Sequence, residues 1–206
     1  MNLRPKVVAF DCDGVMFDSR EANRAYYNQV LDHFRLPAMT PEQLAFAHMH
    51  TVDESLAHLI RDDATRDDAH AYRKQLGYLP FLKFMQMEPG LIPLLNTLRP
   101  RYKTAVATNR TDTMARVLAE NHIDHLFDLV VCALDVQFPK PHPESLVKVV
   151  DHFSVSPEEV IYVGDSMVDQ MAARDAGIPF VAYGNPDLTA DYHIRSLAEV
   201  ADLLGL

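Results

Sequence analysis

The stretch KVVAFDCDG, from Lys6 to Gly14, decides the fold class of this chain. Its first half is continuously apolar rather than alternating, which is typical of a strand buried on both faces of a parallel sheet. Its second half places two carboxylates, Asp11 and Asp13, directly after that strand, and a glycine that permits a tight turn follows them. The stretch therefore predicts a buried parallel strand that ends in an acidic loop.

Four further short runs have the same β-rich, continuously apolar character as residues 6–10. They are Thr104–Thr108, Leu129–Cys132, Val160–Val163 and Phe180–Ala182. Helical patterns lie between or after the later runs, at Thr111–Asn121, Pro143–Phe153 and Ser166–Ala176. This alternation of strands and helices predicts a doubly wound, Rossmann-like α/β fold with a parallel sheet.

The segment 18–88 interrupts the alternation. Its only valines and isoleucines are Val30, Val52 and Ile60. So few β-branched aliphatic residues make strands improbable there, whereas capping boxes at Thr40–Gln43 and Thr51–Glu54 indicate helix starts. The sequence thus predicts a Rossmann-like core made of residues 1–17 and 89–206, into which 18–88 is inserted as a small helical-bundle cap.

Composition and charge exclude several classes of partner. The chain has 206 residues and a net charge of −10, from 19 basic and 29 acidic residues. It offers no basic stripe for a nucleic-acid backbone, and no apolar run approaches the roughly 20 residues that cross a bilayer. Two cysteines, Cys12 and Cys132, make no disulfide framework, and the amino terminus has no signal-peptide core. We therefore expect a cytoplasmic protein without nucleic-acid or membrane partners, either a monomer or a homodimer.

Polar residues that directly follow the strands should meet at one edge of such a sheet. Eight of them are candidates for chemistry: Asp11, Asp13, Thr108, Asn109, Arg110, Lys140, Asp165 and Asp169. Grouped carboxylates repel one another unless a hard divalent cation lies among them, and Mg²⁺ suits a few carboxylates, waters and a substrate phosphate. One carboxylate of the Asp-x-Asp pair can attack phosphorus while the other handles the leaving-group proton.

Four of these features, in chain order, resemble the four motifs of the haloacid dehalogenase superfamily. They are Asp11–Val15, Thr108, Lys140 and Gly164–Asp169. The flanking stretches Phe17–Ser19 and Ala172–Gly177 are similar to the phosphoglycolate-phosphatase-like branch of that superfamily. The helical insertion lies where this branch has an α-helical cap, and the resemblance extends over residues 6–185.

The resemblance implies a Mg²⁺-dependent phosphatase that acts on a small phosphorylated metabolite through an aspartyl-phosphate intermediate. Asp11 would accept the phosphoryl group. Asp13 would protonate the leaving group and then activate the hydrolytic water. Thr108 would hydrogen-bond the transferring phosphoryl group, and Lys140 would offset the negative charge of Asp11 and the phosphate.

The same resemblance implies two sets of ligands. The metal ligands would be Asp11, Asp13 through its main-chain carbonyl, Asp165 directly, and Asp169 through water. The residues around the substrate phosphate would be Thr108, Asn109, Arg110 and Lys140. Candidates for contacting the substrate from the cap are Arg20, Arg24, His48 and His50.

Other functions remain open at this point. Within the superfamily, a phosphosugar mutase would return the phosphoryl group to its substrate. A phosphonatase would need a cap lysine such as Lys74 or Lys83 to form a Schiff base. From another class, a phospho-accepting signalling receiver also combines clustered aspartates, a threonine and a lysine on a doubly wound sheet.

Overall fold

The structure, a computed structural model, describes residues 4–206. The strands are β1 (Val7–Phe10), β2 (Phe17–Asp18), β3 (Gln86–Met87), β4 (Lys103–Ala107), β5 (Leu129–Val131), β6 (Val160–Gly164), β7 (Phe180–Tyr183) and β8 (Tyr192–Ile194). Six of them form one parallel sheet in the order β5-β4-β1-β6-β7-β8. The predicted doubly wound α/β fold is therefore confirmed.

Nine α-helices are interspersed with these strands in the described part of the chain. They are α1 (Arg20–His33), α2 (Pro41–Met49), α3 (Val52–Leu59), α4 (Asp63–Leu76), α5 (Leu91–Leu98), α6 (Met114–Glu120), α7 (Glu144–Phe153), α8 (Met167–Ala176) and α9 (Ala198–Leu203). No helix in the described part of the chain is both long and apolar enough to span a membrane.

β1 lies in the middle of the sheet, between β4 and β6. Val8 is opposite Thr104 on one side and Ile161 on the other. All four residues of β1 are fully buried, as its unbroken apolar run predicts. One face of the sheet packs against α7 and α8 through Leu146 and Ala172, so the core holds the ends of β1, β4 and β6 in fixed relative positions.

The five predicted strands are confirmed as β1, β4, β5, β6 and β7, each end lying within one residue of the prediction. The three helices predicted from the later patterns are confirmed as α6, α7 and α8, although α6 is shorter than predicted. α5, β8 and α9 were not predicted. β8 has only three residues and includes an exposed histidine, so it lacks the apolar run that marked the other strands.

Asp18–Gln86 forms a second compact unit, which contains α1 to α4; the sequence predicted an insert over 18–88. Both predicted capping boxes are present. The Thr40 hydroxyl accepts from the Gln43 N–H at 3.2 Å, and the Gln43 side chain accepts from the Thr40 N–H at 2.9 Å. Thr51 and Glu54 make the equivalent pair. The inserted helical bundle is thus confirmed as part of the fold.

The expectation that 18–88 contains no strand is wrong at both ends of the segment. β2 and β3 have two residues each and pair with one another. A strand of two residues is too short to show the alternation or the apolar run by which a strand is recognised in a sequence. The pairing depends on β2 and β3 lying side by side, and the sequence pattern does not show this.

Candidate active site

The sheet topology brings polar residues from separate parts of the chain to one edge. Because Phe10 of β1 lies opposite Val106 of β4 and Val163 of β6, the loops that follow these three strands start side by side. Asp11 begins the first loop and donates its main-chain N–H to the Val163 carbonyl at 2.9 Å. Lys140 enters from the loop after β5, and its Nζ lies 2.8 Å from Asp11 Oδ1.

The Lys140 ammonium is the centre of this cluster. It donates to Asp11 Oδ1 at 2.8 Å, Tyr162 Oη at 2.7 Å and Asp169 Oδ1 at 2.6 Å. The residue is only 1% exposed. Burial alone would lower the pKa of Lys140, but Asp11 and Asp169 outweigh it and raise this pKa above its ordinary value. Lys140 is therefore a buried, charged cation directed at the predicted nucleophile.

The aspartates around Lys140 carry more negative charge, when ionised, than the single positive charge of Lys140 can balance. Burial raises the pKa of Asp11 to about 7, although Lys140 opposes the shift, and Asp169 and Asp13 add to it. Burial, with Asp169 and Asp11, raises the pKa of Asp165 well above its usual range. Such shifts mean that the carboxylates are costly to ionise together, and a site of this kind favours an additional cation.

Three carboxylates are placed so that they could share such a cation. Asp11, Asp165 and Asp169 can each offer one oxygen, and these oxygens lie within 4.8 Å of one another. Gly14 lets Asp165 come close: a Cβ on Gly14, where φ is +86°, would lie 2.1 Å from Asp165 Oδ2. Since carboxylate oxygens are the ligands that Mg²⁺ prefers, the donor set fits a hard divalent cation.

Asp169 differs from the other two because both of its oxygens are already engaged. Oδ1 accepts from Lys140 and from the Tyr162 hydroxyl at 2.8 Å. Oδ2 accepts from the Ser166 main-chain N–H at 3.1 Å and from the Ser166 hydroxyl, as part of the capping box that starts α8. These contacts hold a fully buried carboxylate in one position and are compatible with the predicted contact to a metal through water.

Asp13 and Arg110 form a two-pronged ion pair. Arg110 Nε donates to Asp13 Oδ2 at 2.8 Å, and Nη2 donates to Oδ1 at 2.7 Å. Nη1 also donates to the Thr113 hydroxyl at 3.1 Å. The sequence predicted a phosphate contact for Arg110. That contact stays a prediction, and the structure adds a second partner, the proposed proton-transferring aspartate.

Thr108 and Asn109 follow β4 directly. The Thr108 hydroxyl accepts from the Arg110 main-chain N–H at 3.1 Å and is almost fully buried. The Asn109 side chain contacts the Lys140 main chain twice: Nδ2 donates to the carbonyl at 2.8 Å, and Oδ1 accepts from the N–H at 2.9 Å. The predicted contact of Asn109 with the phosphate stays a prediction, and the structure adds these two contacts to the Lys140 peptide.

No role was predicted for two residues of the cluster, Tyr162 and Ser166. The hydroxyl of Tyr162 is fully buried between Lys140 and Asp169. A single tyrosine within the aliphatic run of β6 was the available signal, but nothing in the sequence related it to Lys140, which lies 22 residues away. Ser166 could have been recognised as a helix cap from its spacing to Asp169.

The four cap candidates lie on the inserted unit. Arg20 and Arg24 are exposed on α1, and Arg24 pairs with Glu21. His48 Nδ1 lies 3.3 Å from the Asn23 side-chain nitrogen. His50 stacks on the Phe46 ring with 3.8 Å between ring centroids. Substrate contacts by these residues stay predictions.

Cys12 is buried and is not poised to react as a thiolate. Burial, together with the charge of Asp13, raises the pKa of its thiol well above the ordinary value. Cys132 is partly buried, and burial with Asp135 raises its pKa to about 11. Both cysteines are free thiols, and neither has the lowered pKa of a nucleophilic cysteine.

Comparison with known proteins identifies the family of this chain. The model of the haloacid dehalogenase-like hydrolase family matches residues 8–183. A phosphoglycolate phosphatase of Chromobacterium violaceum is 32% identical, over 99% of each chain. A crystal structure of a haloacid dehalogenase-superfamily hydrolase, subfamily IA, from Geobacter sulfurreducens is 40% identical with a TM-score of 0.80, covering 98% of this chain and 97% of that one.

A more distant neighbour tests how far the likeness extends. The β-phosphoglucomutase of Clostridium difficile has a TM-score of 0.84 but only 18% identity, over 98% of this chain and 97% of that one, so it shows the fold alone. The family match and the 32% identical relative both cover most of the chain, and the four motifs lie on one edge of its sheet. This chain belongs to the haloacid dehalogenase-like hydrolase family.

Proposed function

We propose that the protein is a Mg²⁺-dependent phosphatase that hydrolyses a small phosphate monoester through an aspartyl-phosphate on Asp11. The observation that carries the proposal is the buried contact between the Lys140 ammonium and Asp11 Oδ1, at 2.8 Å, at the carboxyl edge of the sheet. A buried cation lowers the cost of bringing an anionic nucleophile to an anionic phosphate. The phosphoglycolate phosphatase relatives support the same reaction class.

In the first half-reaction, an Asp11 carboxylate oxygen attacks phosphorus and the bond from phosphorus to the leaving oxygen breaks. Asp13, protonated from solvent once Arg110 has turned to the phosphate, gives that proton to the leaving oxygen, so the product leaves as an alcohol. The Thr108 hydroxyl accepts a hydrogen bond from Arg110 and so keeps its own hydrogen for a phosphoryl oxygen. The result is a phosphoryl group on Asp11.

In the second half-reaction, water attacks the same phosphorus and the bond to Asp11 breaks. Asp13, ionised after the first step, takes the proton from that water, and orthophosphate leaves. Both Asp13 oxygens accept from Arg110 in the structure. We expect the substrate phosphate to compete with Asp13 for this guanidinium, which would bring Arg110 to the phosphate and release Asp13 for proton transfer.

The residues that would hold Mg²⁺ are Asp11, Asp165 and the Asp13 carbonyl, with Asp169 behind them. When bound, the ion would neutralise part of the charge of the carboxylates and the phosphate. The oxygen cluster within 4.8 Å supports this assignment. The raised pKa of Asp165, caused by burial and by the neighbouring aspartates, supports it as well.

The substrate is a small phosphorylated metabolite, and phosphoglycolate is the first compound to test because of the relatives' names. The purified protein should release orthophosphate from at least one member of a panel of phosphoglycolate, sugar phosphates, nucleoside monophosphates and an aryl phosphate, and only with Mg²⁺. Asp11→Asn should release none, while Asp151→Asn, an exposed control on α7, should match the wild type. Substantial turnover by Asp11→Asn or in EDTA would refute the mechanism.

The same assay separates the alternatives. A mutase would convert one sugar phosphate into another without releasing stoichiometric orthophosphate, and a signalling receiver would be phosphorylated once without turnover. A phosphonatase would act on a carbon–phosphorus bond and leave the monoesters intact. The cytoplasmic location and the absence of nucleic-acid partners remain predictions from the sequence.

A further inference from the structure

Tyr162 is a buried polar residue of the site that the proposed reaction does not use. Its side chain is fully buried and projects from the centre of β6. Its hydroxyl lies 2.7 Å from Lys140 Nζ, 2.8 Å from Asp169 Oδ1 and 2.9 Å from the Ala107 carbonyl. Burial, together with Asp169, raises the pKa of this phenol well above its ordinary value, so it stays a neutral hydrogen-bonding group.

The ring reaches its position because small residues line its path. Tyr162 lies opposite Ala9 of β1 and reaches Ala107 at the end of β4, one strand further on. Alanines at these two positions belong to the same buried cluster and leave room for the aromatic ring. The Tyr162 hydroxyl thereby lies within hydrogen-bonding distance of the Lys140 ammonium, which enters from the loop after β5.

The Tyr162 hydroxyl is one of three acceptors that together use all the hydrogens of the Lys140 ammonium. An ammonium has three hydrogens and no acceptor. Lys140 has three acceptors, namely Asp11, Asp169 and Tyr162, each within 2.8 Å. Every hydrogen is therefore directed at the protein, and a direct bond from Lys140 to a phosphoryl oxygen would require one of these contacts to break.

We propose that Tyr162 is a positioning residue that accepts the third hydrogen of Lys140, so that the ammonium faces Asp11 and acts on the reaction by its charge rather than as a ligand of the phosphate. The proposal rests on the function proposed above. It differs from the sequence prediction, which placed Lys140 among the residues that bind the phosphate. The single hydrogen of the Tyr162 hydroxyl goes to the Ala107 carbonyl or to Asp169, and in both cases the phenol oxygen can still accept from Lys140.

The test is Tyr162→Phe, which keeps the ring and removes the hydroxyl. Loss of one hydrogen bond to a buried charge should lower kcat for an aryl phosphate about 10- to 100-fold. KM and the inhibition constant of orthophosphate should change by less than about twofold. A kcat within about twofold of the wild type would overturn the proposal. So would a variant in which only KM or the inhibition constant of orthophosphate changes.

A double-mutant cycle with Lys140→Met separates positioning from general damage. If Tyr162 acts through Lys140, Tyr162→Phe should have no further effect on kcat in the Lys140→Met background. An equal loss in both backgrounds would contradict the proposal. Tyr27→Phe is the matched control, because it removes another buried phenol hydroxyl, one that bonds Ser55 within the helical unit; it should keep the wild-type kcat.

A crystal structure of Tyr162→Phe gives a readout that does not need activity. The Lys140 ammonium should move away from Asp11 or adopt more than one position. An ammonium that keeps all its contacts to Asp11 and Asp169 would overturn the positioning role. If the wild-type protein released no orthophosphate from any substrate, the proposed function would fail, whereas this structural comparison would still decide the role of Tyr162.

Discussion

Asp11→Asn, which should abolish turnover in the proposed reaction, should make the protein more stable in EDTA at neutral pH. Burial raises the pKa of Asp11 from 3.8 to about 7, so the folded state holds a proton that the unfolded state loses. The stability that the neutral Asp11 carboxyl contributes is therefore fully present below pH 3.8 and is lost as the pH rises to about 7. At about 1.4 kcal/mol per pKa unit, the loss is about 1.5 kcal/mol at pH 5 and about 4 kcal/mol at pH 7.5.

The asparagine does not ionise, and its side-chain oxygen can still accept from Lys140. The difference in unfolding free energy between Asp11→Asn and the wild type should grow by about 2.5 kcal/mol from pH 5 to pH 7.5. For a chain of this length that is about 5–10 °C in Tm. Thermal unfolding in EDTA at the two pH values measures it, because pH effects from groups that do not interact with Asp11 cancel in the difference between variant and wild type.

Asp151→Asn is the control, since Asp151 is exposed on α7 and its replacement should shift Tm equally at both pH values. A stability difference for Asp11→Asn that is the same at pH 5 and pH 7.5 would refute the reasoning. So would a variant that is less stable than the wild type at pH 7.5. Either result would mean that the buried site does not penalise the ionised Asp11 carboxylate.

Three further changes probe the same cluster. Lys140→Met leaves two buried carboxylates without their cation and should lower kcat about 1,000-fold or more; orthophosphate release within about tenfold of the wild type would contradict this. Gly14→Ala places a Cβ 2.1 Å from Asp165 Oδ2 at a φ of +86°. It should raise the Mg²⁺ concentration for half-maximal activity about tenfold or more, and an unchanged Mg²⁺ titration would count against Asp165 as a ligand. Asn109→Ala removes both contacts to the Lys140 main chain. It should lower kcat about tenfold with little change in orthophosphate inhibition; a large rise in the inhibition constant would favour a phosphate contact instead.

The sequence could predict the sheet because the strands are buried on both faces. Such strands are short and continuously apolar, so β1 and β6 were recognisable to within one residue. The residues that follow them could be assigned to one edge, because parallel strands in a doubly wound sheet present their carboxyl ends together. Asp11, Thr108 and Asp165 follow β1, β4 and β6, which are neighbours in the sheet.

Partner choice within the site could not be predicted, because it depends on side chains that are distant in sequence. Arg110 and Asp13 are 97 residues apart, yet they make the two-pronged pair. Asn109 reaches the Lys140 peptide across 31 residues. Sequence spacing shows which loops meet, but side-chain length, rotamer and burial decide whether a cation near the phosphate also contacts an aspartate.

The distribution of charge shows what an incoming phosphate would meet. Lys140 directs its three hydrogens to Asp11, Asp169 and Tyr162. Arg110 has hydrogen bonds to Asp13. The four site aspartates, if all ionised, exceed these two cations by two charges, and a phosphate dianion would add two more. In the proposed reaction, attraction of the substrate would therefore come from a divalent cation among the aspartates and from transfer of Arg110 from Asp13 to the phosphate. In that reaction Lys140 would stabilise the negative charge of Asp11, whereas the metal and Arg110 would attract the substrate phosphate.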